Sequence, residues 1–108
     1  MAAEATRRLM VFGLDVKDAE LYRRYRAEMM PILERHGGAF EYDFVVAQVL
    51  RSPTPAPINR VFTIVFPDRA TADRFFTDPA YLAVRAAWFT PAVGSVTTIA
   101  DLDEPVPR

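Results

Sequence analysis

One histidine, a close pair of acids and a set of tyrosines carry most of the proton chemistry open to this chain. His36 is the only histidine among 108 residues, so an imidazole general acid or base would have to be this one. Glu41 and Asp43, in "HGGAFEYDFVVAQVL", are two positions apart, a spacing that turns both side chains to one face of a strand. Two carboxyls on one buried face push one pKa upward and form an acid–base couple. Asp43 is the deeper of the two, because Tyr42, Phe44 and Val45 flank it. Asp43 and His36 are therefore the candidate catalytic residues. Both have plainer explanations. His36 suits a helix end, where a cation meets the C-terminal dipole, and Asp43 suits an ion pair with an arginine or a bond to hydroxyls at an interface.

The ligand-binding candidates are Tyr22, Tyr42, Arg60 and Trp88. With Tyr25 and Phe62, these aromatics could line a pocket for a planar or polyketide-like compound, and Arg60 could grip a carboxylate through two bonds. Aromatics at helical or strand spacing also serve as plain core, with tyrosine hydroxyls reaching solvent.

Other chemistries are absent from the pattern. There is no cysteine, which removes thiolate nucleophiles, disulfides and zinc–thiolate sites. No Gly-rich phosphate loop and no His-x-x-x-His pair occurs, so neither a metal nor a cofactor is expected. Ser95 has no acid–histidine partner visible in the sequence. The net charge is −1, with both signs interspersed, so there is no electrostatic footprint for nucleic acid or an anionic membrane. No apolar run reaches the roughly 20 residues that span a bilayer. The opening "MAAEATRRLM" lacks the apolar core of a secretory signal. A cytoplasmic location is the expectation.

The elements that must hold these residues can be read from periodicity. "RLMVFGLDV", residues 8 to 16, is short, apolar and rich in β-formers, hence a strand. In "KDAELYRRYRAEMMPILERHGG", Leu21, Tyr22, Tyr25, Met29, Ile32, Leu33 and His36 recur at helical steps. Asp18 can cap that helix, Glu20 lies one turn before Arg24, and Gly37 and Gly38 supply a left-handed stop. Pro31 predicts a kink near Ala27. Residues 39–50 read as a long strand, "RSPTPAPIN" as a proline-rich loop, and "RVFTIVF" as a third strand. "PDRATADRFFTDPAYLAVRAAWF" reads as two short helices capped by Asp68 and Asp78, with Pro79 in the first turn. Residues 92–100 form the last strand. This order predicts one α+β domain over residues 8–101, with loosely held ends at 1–7 and 102–108: a ferredoxin-like βαββαβ fold, two helical segments on one face of a four-stranded antiparallel sheet.

Strict alternation places Phe12, Leu14, Tyr42, Phe44, Val46, Phe62, Ile64 and Phe66 beneath the helices. It leaves Leu9, Val11, Val45, Val49, Val61, Val65, Val93 and Ile99 on the other face with Glu41 and Asp43, with Gly13 or Gly94 the sites where a bulge would shift the register. So large an aliphatic face calls for a cover, and a homodimer with facing sheets supplies one. The valine-rich edge strand 39–50 invites pairing as well.

Two segments resemble a known family. "DAELYRRYRAEMMPILERHGGAF" resembles its first helix, with a Tyr-x-x-Tyr pair, an internal proline and a terminal Gly-Gly; "RVFTIVFPDRATADRFFTDPAYLAVR" resembles its second half. The family is domain of unknown function 1330, in the dimeric α/β-barrel superfamily. The chain departs from the family pattern at Ala39, where a basic residue is frequent, and at Trp88, near where a second arginine often follows. The resemblance implies a ferredoxin-like subunit, a two-fold dimer and a pocket between sheet and helices. It implies no particular reaction. Its relatives include cofactor-free monooxygenases and polyketide cyclases. The expectation is a small-molecule-binding homodimer, in one version a cofactor-independent enzyme on an aromatic or polyketide-like compound. In the other version it is a non-catalytic domain with a filled core.

Overall fold

In the computed structural model, which describes residues 5–106, β1 (Thr6–Val16) runs through the middle of the sheet. It is paired antiparallel with β3 (Arg60–Phe66) on one side and β4 (Val93–Pro105) on the other. β2 (Ala39–Val45) pairs antiparallel with β3 at the edge, giving the order β2-β3-β1-β4. The helices are α1 (Ala19–Arg35), α2 (Arg69–Thr77) and α3 (Pro79–Val84), the last continued by a π-helical turn, Arg85–Phe89. This is the expected ferredoxin-like α+β architecture.

Local chemistry sets the helix ends. Asp18 accepts bonds from the Glu20 and Leu21 N–H groups, and Asp68 forms a reciprocal capping box with Thr71, so the free N–H groups of each first turn are met. α1 ends in a Schellman turn, with Gly38 N–H donating to Leu33 C=O at 3.0 Å, Gly37 N–H to Glu34 C=O at 2.9 Å, and Gly37 at φ 78°. Gly38 is required for a second reason: a Cβ there would fall on Leu33 Cδ1 and 2.8 Å from Phe66 Cε1. α1 runs unbroken through Pro31. Glu20 pairs with Arg23, and Arg24 with Glu28, rather than Glu20 with Arg24.

Alternation along β1 and β3 turns Met10, Leu14, Phe62, Ile64 and Phe66 toward the helices, where they pack with Tyr22, Tyr25, Met29, Ile32, Leu33, Phe75 and Tyr81. In β2 the strict alternation fails. Phe40 opposes Ile64 and Asp43 opposes Phe62, so Glu41 and Tyr42 together face the single residue Thr63. This is a β-bulge, and the Thr63 hydroxyl completes it by accepting the Tyr42 N–H at 2.9 Å. The extra residue reverses the parity of the rest of the strand. Tyr42 and Phe44 stand on the open face, 60% and 54% exposed, and Asp43 turns to the helix side. Glu41 and Asp43 do not share a face. Gly94 does sit at a register shift, opposite Asp15–Val16, whereas Gly13 pairs regularly with Val61. A Cβ on Gly13 would lie 2.9 Å from Ile58 Cδ1.

Two boundaries differ from expectation. β2 stops at Val45 because its partner begins at Arg60, and Pro53, Pro55 and Pro57 offer no N–H to prolong the ladder. The last tie is Val46 N–H to Asn59 C=O, 2.8 Å. β4, by contrast, runs past residue 100. Thr6, Arg7 and residues 102–105, predicted to be loosely held, are paired in the sheet, and Arg7 is bound to Glu104 and Glu41 across it. Residues 1–4 and 107–108 of those expected loose ends lie outside the described residues.

Candidate functional site

Side chains from every layer converge on a cavity of about 120 Å³ between the sheet and the helices. β1 supplies Phe12 and Leu14, β3 Phe62 and Ile64, α1 Tyr25 and Met29, and α2 Phe75 and Phe76; Phe40 and Val96 close its sides. Tyr81, Arg85 and Phe89 complete the wall. These three recur every fourth residue and so form one stripe along α3 and its π turn. The turn is wide because Thr90 N–H reaches back five residues to Arg85 C=O, 3.0 Å; such turns occur often at functional sites.

The interior is apolar except for two hydroxyls. Tyr25 Oη and Tyr81 Oη are 2.9 Å apart and buried. Burial raises both phenols above the ordinary tyrosine value, Tyr25 the further of the two, with the Arg85 charge a smaller opposing influence on each. Both are therefore neutral donor–acceptor groups in the cavity at any physiological pH. Arg85 is exposed and stands at the rim, its guanidinium 5.2 Å from the centre of the Phe89 ring.

The six catalytic and ligand-binding candidates named from the sequence sit around this cavity rather than in it. Asp43 receives two bonds from Arg60, Nε–Oδ1 2.8 Å and Nη2–Oδ2 2.9 Å, and one from Arg26 Nη1 at 2.9 Å. These arginines, Arg60 first, hold its carboxyl below the usual aspartate range. Tyr22 is buried beside the cluster, with the Arg60 guanidinium 5.1 Å from its ring. His36 Nε2 lies 2.9 Å from Asp78 Oδ2, while Asp78 Oδ1 accepts the Ala80 N–H at 2.8 Å. Asp78 thus joins the end of α1 to the start of α3, and the His36 bond is the main reason its carboxyl lies below the usual range. Trp88 faces the outer flank of α1, under the Arg24 guanidinium at 4.7 Å. Tyr42 stands on the open sheet face, stacked on Phe44 at 5.8 Å. Of the six site candidates the structure brings Tyr22, Asp43 and Arg60 together. Tyr25 and Phe62, also singled out as aromatic pocket residues, do line the cavity, and Tyr81 and Arg85 join them there. The Tyr81–Arg85–Phe89 spacing, set by the Asp78 cap, is the signal in the sequence that points to this wall.

The Asp43 cluster has a pH signature. Because its carboxyl is held lower in the folded chain than in the unfolded one, its stabilisation is present above the unfolded value near pH 3.9 and is lost as pH falls through the folded value. Asp43→Asn is expected to cost about 1–2 kcal/mol at pH 7, less than a fully buried pair, since the Asp43 side chain keeps 29% exposure. Urea unfolding at pH 7 and pH 3 checks this: the gap between parent and variant should narrow at the lower pH.

Among the described residues no three His, Asp or Glu side chains are grouped to hold a metal ion, and no helix is long and apolar enough to cross a membrane.

A ferredoxin-like layer with helices on one face and an aromatic cavity beneath them defines the class of protein. The chain belongs to the family described as domain of unknown function (DUF1330), whose profile matches residues 8–101. No curated protein is significantly similar to it in sequence. Among solved structures it is similar to a protein of unknown function from Rhodopseudomonas palustris, with 21% identity and a TM-score of 0.79 over 95% of this chain and 85% of that one. It is also similar to a dimeric ferredoxin-like protein of unknown function from Jannaschia sp. CCS1, at 14% identity and TM-score 0.53 over 89% of this chain and 97% of that one. A cofactor-independent oxygenase from Streptomyces nogalater matches at 16% identity and TM-score 0.52, over 98% of this chain and 96% of that one. These likenesses concern the fold.

Proposed function

We propose that this protein is a homodimer that binds a small aromatic compound in the cavity beneath its helices. The observation that carries the proposal is an apolar, ring-lined space of about 120 Å³ whose buried polar groups are the Tyr25 and Tyr81 hydroxyls. An engineered cavity of about 150 Å³ lined by Leu, Ile and Phe takes up benzene. This one therefore suits a single ring bearing an oxygen, and is small for a fused polyketide skeleton. The dimer is supported by the open sheet face, where Tyr42, Phe44, Ile99 and Leu102 are exposed beside half-buried Leu9, Val11, Val61 and Val65.

Turnover without a cofactor is the second reading, and the fold shared with the Streptomyces nogalater oxygenase favours it. In that reading Asp43 or His36 would move a proton. Both are bound to protein partners, Asp43 by two arginines and His36 by Asp78, so binding is the better supported of the two. A filled-core domain with no ligand is the reading least in keeping with a cavity of this size.

The test is calorimetry with toluene and p-cresol. p-Cresol should bind the parent protein more tightly than toluene. Tyr81→Phe should weaken p-cresol about 3- to 10-fold, the worth of one hydrogen bond, and leave toluene unchanged. Absence of binding by either compound at millimolar concentration would defeat the proposal.

A further inference from the structure

We propose that Arg85 makes the cavity a receptor for an aromatic carboxylate, with the ring inside and the carboxylate held at the rim by the guanidinium. This rests on reading the cavity as a ligand site and names the class of ligand.

Most arginines of the sheet and of α1 are already committed: Arg7 to Glu41 and Glu104, Arg8 to Asp101, Arg26 and Arg60 to Asp43. Arg85 has no acidic partner among the described residues, and no carboxylate lines the cavity with it. The site therefore holds one uncompensated positive charge, two neutral hydroxyls and otherwise apolar walls. Such a surface attracts an anion that is apolar over most of its area.

The Arg85 guanidinium is held over the Phe89 ring at 5.2 Å, which steadies its planar fork. The π turn sets Arg85 and Phe89 on the same wall as Tyr81. A fork of this kind matches a carboxylate with two parallel bonds. A phosphate would call for more donors than this rim offers. The cavity's size limits the apolar part to about one ring, which makes benzoate the simplest member of the class.

The experiment is titration of the parent protein and of Arg85→Gln with benzoate and with benzyl alcohol, its neutral counterpart, followed by calorimetry. The parent should bind benzoate about 10-fold or more tightly than benzyl alcohol, and Arg85→Gln should lose about 10-fold for benzoate, as expected for a charged hydrogen bond. Benzyl alcohol should bind parent and variant within about 2-fold, which also shows the variant is folded, and benzoate affinity should fall with added salt. Equal affinities of the parent for the two compounds, or an Arg85→Gln variant that keeps full benzoate affinity, would overturn the Arg85 assignment while leaving the cavity as an aromatic site. If neither compound binds the parent, the cavity reading falls and this assignment falls with it.

Discussion

Val11→Glu should turn a dimer into a folded particle of 12.2 kDa. Val11 lies in the middle of β1 on the uncovered face, opposite Thr63 on one side and Ala100 on the other. In an isolated subunit it is half exposed, so a carboxylate there reaches water and the fold survives. Against a second sheet the same carboxylate would be buried, and its neighbours across the strands, Thr63 and Ala100, supply no cation. An unpaired buried charge costs about 3–5 kcal/mol, which weakens association by a factor on the order of 100 to 5,000. Size-exclusion chromatography with light scattering at about 10 μM, a concentration at which a standard-sized interface holds, reads the outcome directly. The parent should run at twice the subunit mass and the variant at one, with unchanged far-UV circular dichroism. A parent protein already at 12.2 kDa would sink the homodimer.

The second large effect concerns the core. Phe75 is fully buried, its ring 4.2 Å from that of Tyr81, 5.1 Å from Phe76 and 5.7 Å from Phe66. It fills space between α2, α3 and β3 and also lines the cavity. Phe75→Ala removes both its burial and its contacts, a loss of about 3–5 kcal/mol. For a domain of this size that lowers Tm by about 12 °C or more. The new void joins the existing cavity, so the variant carries a larger apolar space than its parent. Benzene near saturation should therefore return part of the lost Tm, since a ligand that binds only the folded form stabilises it by mass action. Differential scanning calorimetry with and without benzene checks both halves. A small Tm loss would mean that the Phe75 ring is not packed as described. A full loss with no recovery would mean that the void collapses.

How the site is divided between sequence and tertiary structure is clearest in β2. The stretch from His36 to Val45 combines a helix end and an edge strand, and both are legible in the sequence: Gly37 and Gly38 stop the helix, and the β-branched and aromatic run after them extends. The side to which each residue turns cannot be read there. One extra residue opposite Thr63 sends Tyr42 and Phe44 to the open face and carries Asp43 to Arg26 and Arg60. A bulge depends on the register of two strands separated by a long loop, and alternation along one strand contains no information about that register. His36 shows the same division. Its place at the helix end is local, whereas its partner Asp78 is 42 residues away.

By itself the sequence determined the helices, their aspartate caps, the glycine stop and the order of elements along the chain that the ferredoxin-like layer accommodates, because these depend on neighbours a few residues apart and on the period of apolar residues. The family membership was legible from the same short motifs. Only the tertiary structure decided which tyrosines meet, that Arg85 stands at the mouth of a cavity with no acid beside it among the described residues, and that the sheet continues to Pro105. Those outcomes require side chains from four strands and three helices to be brought to one place, and long-range register and packing, not local pattern, set the distances between them.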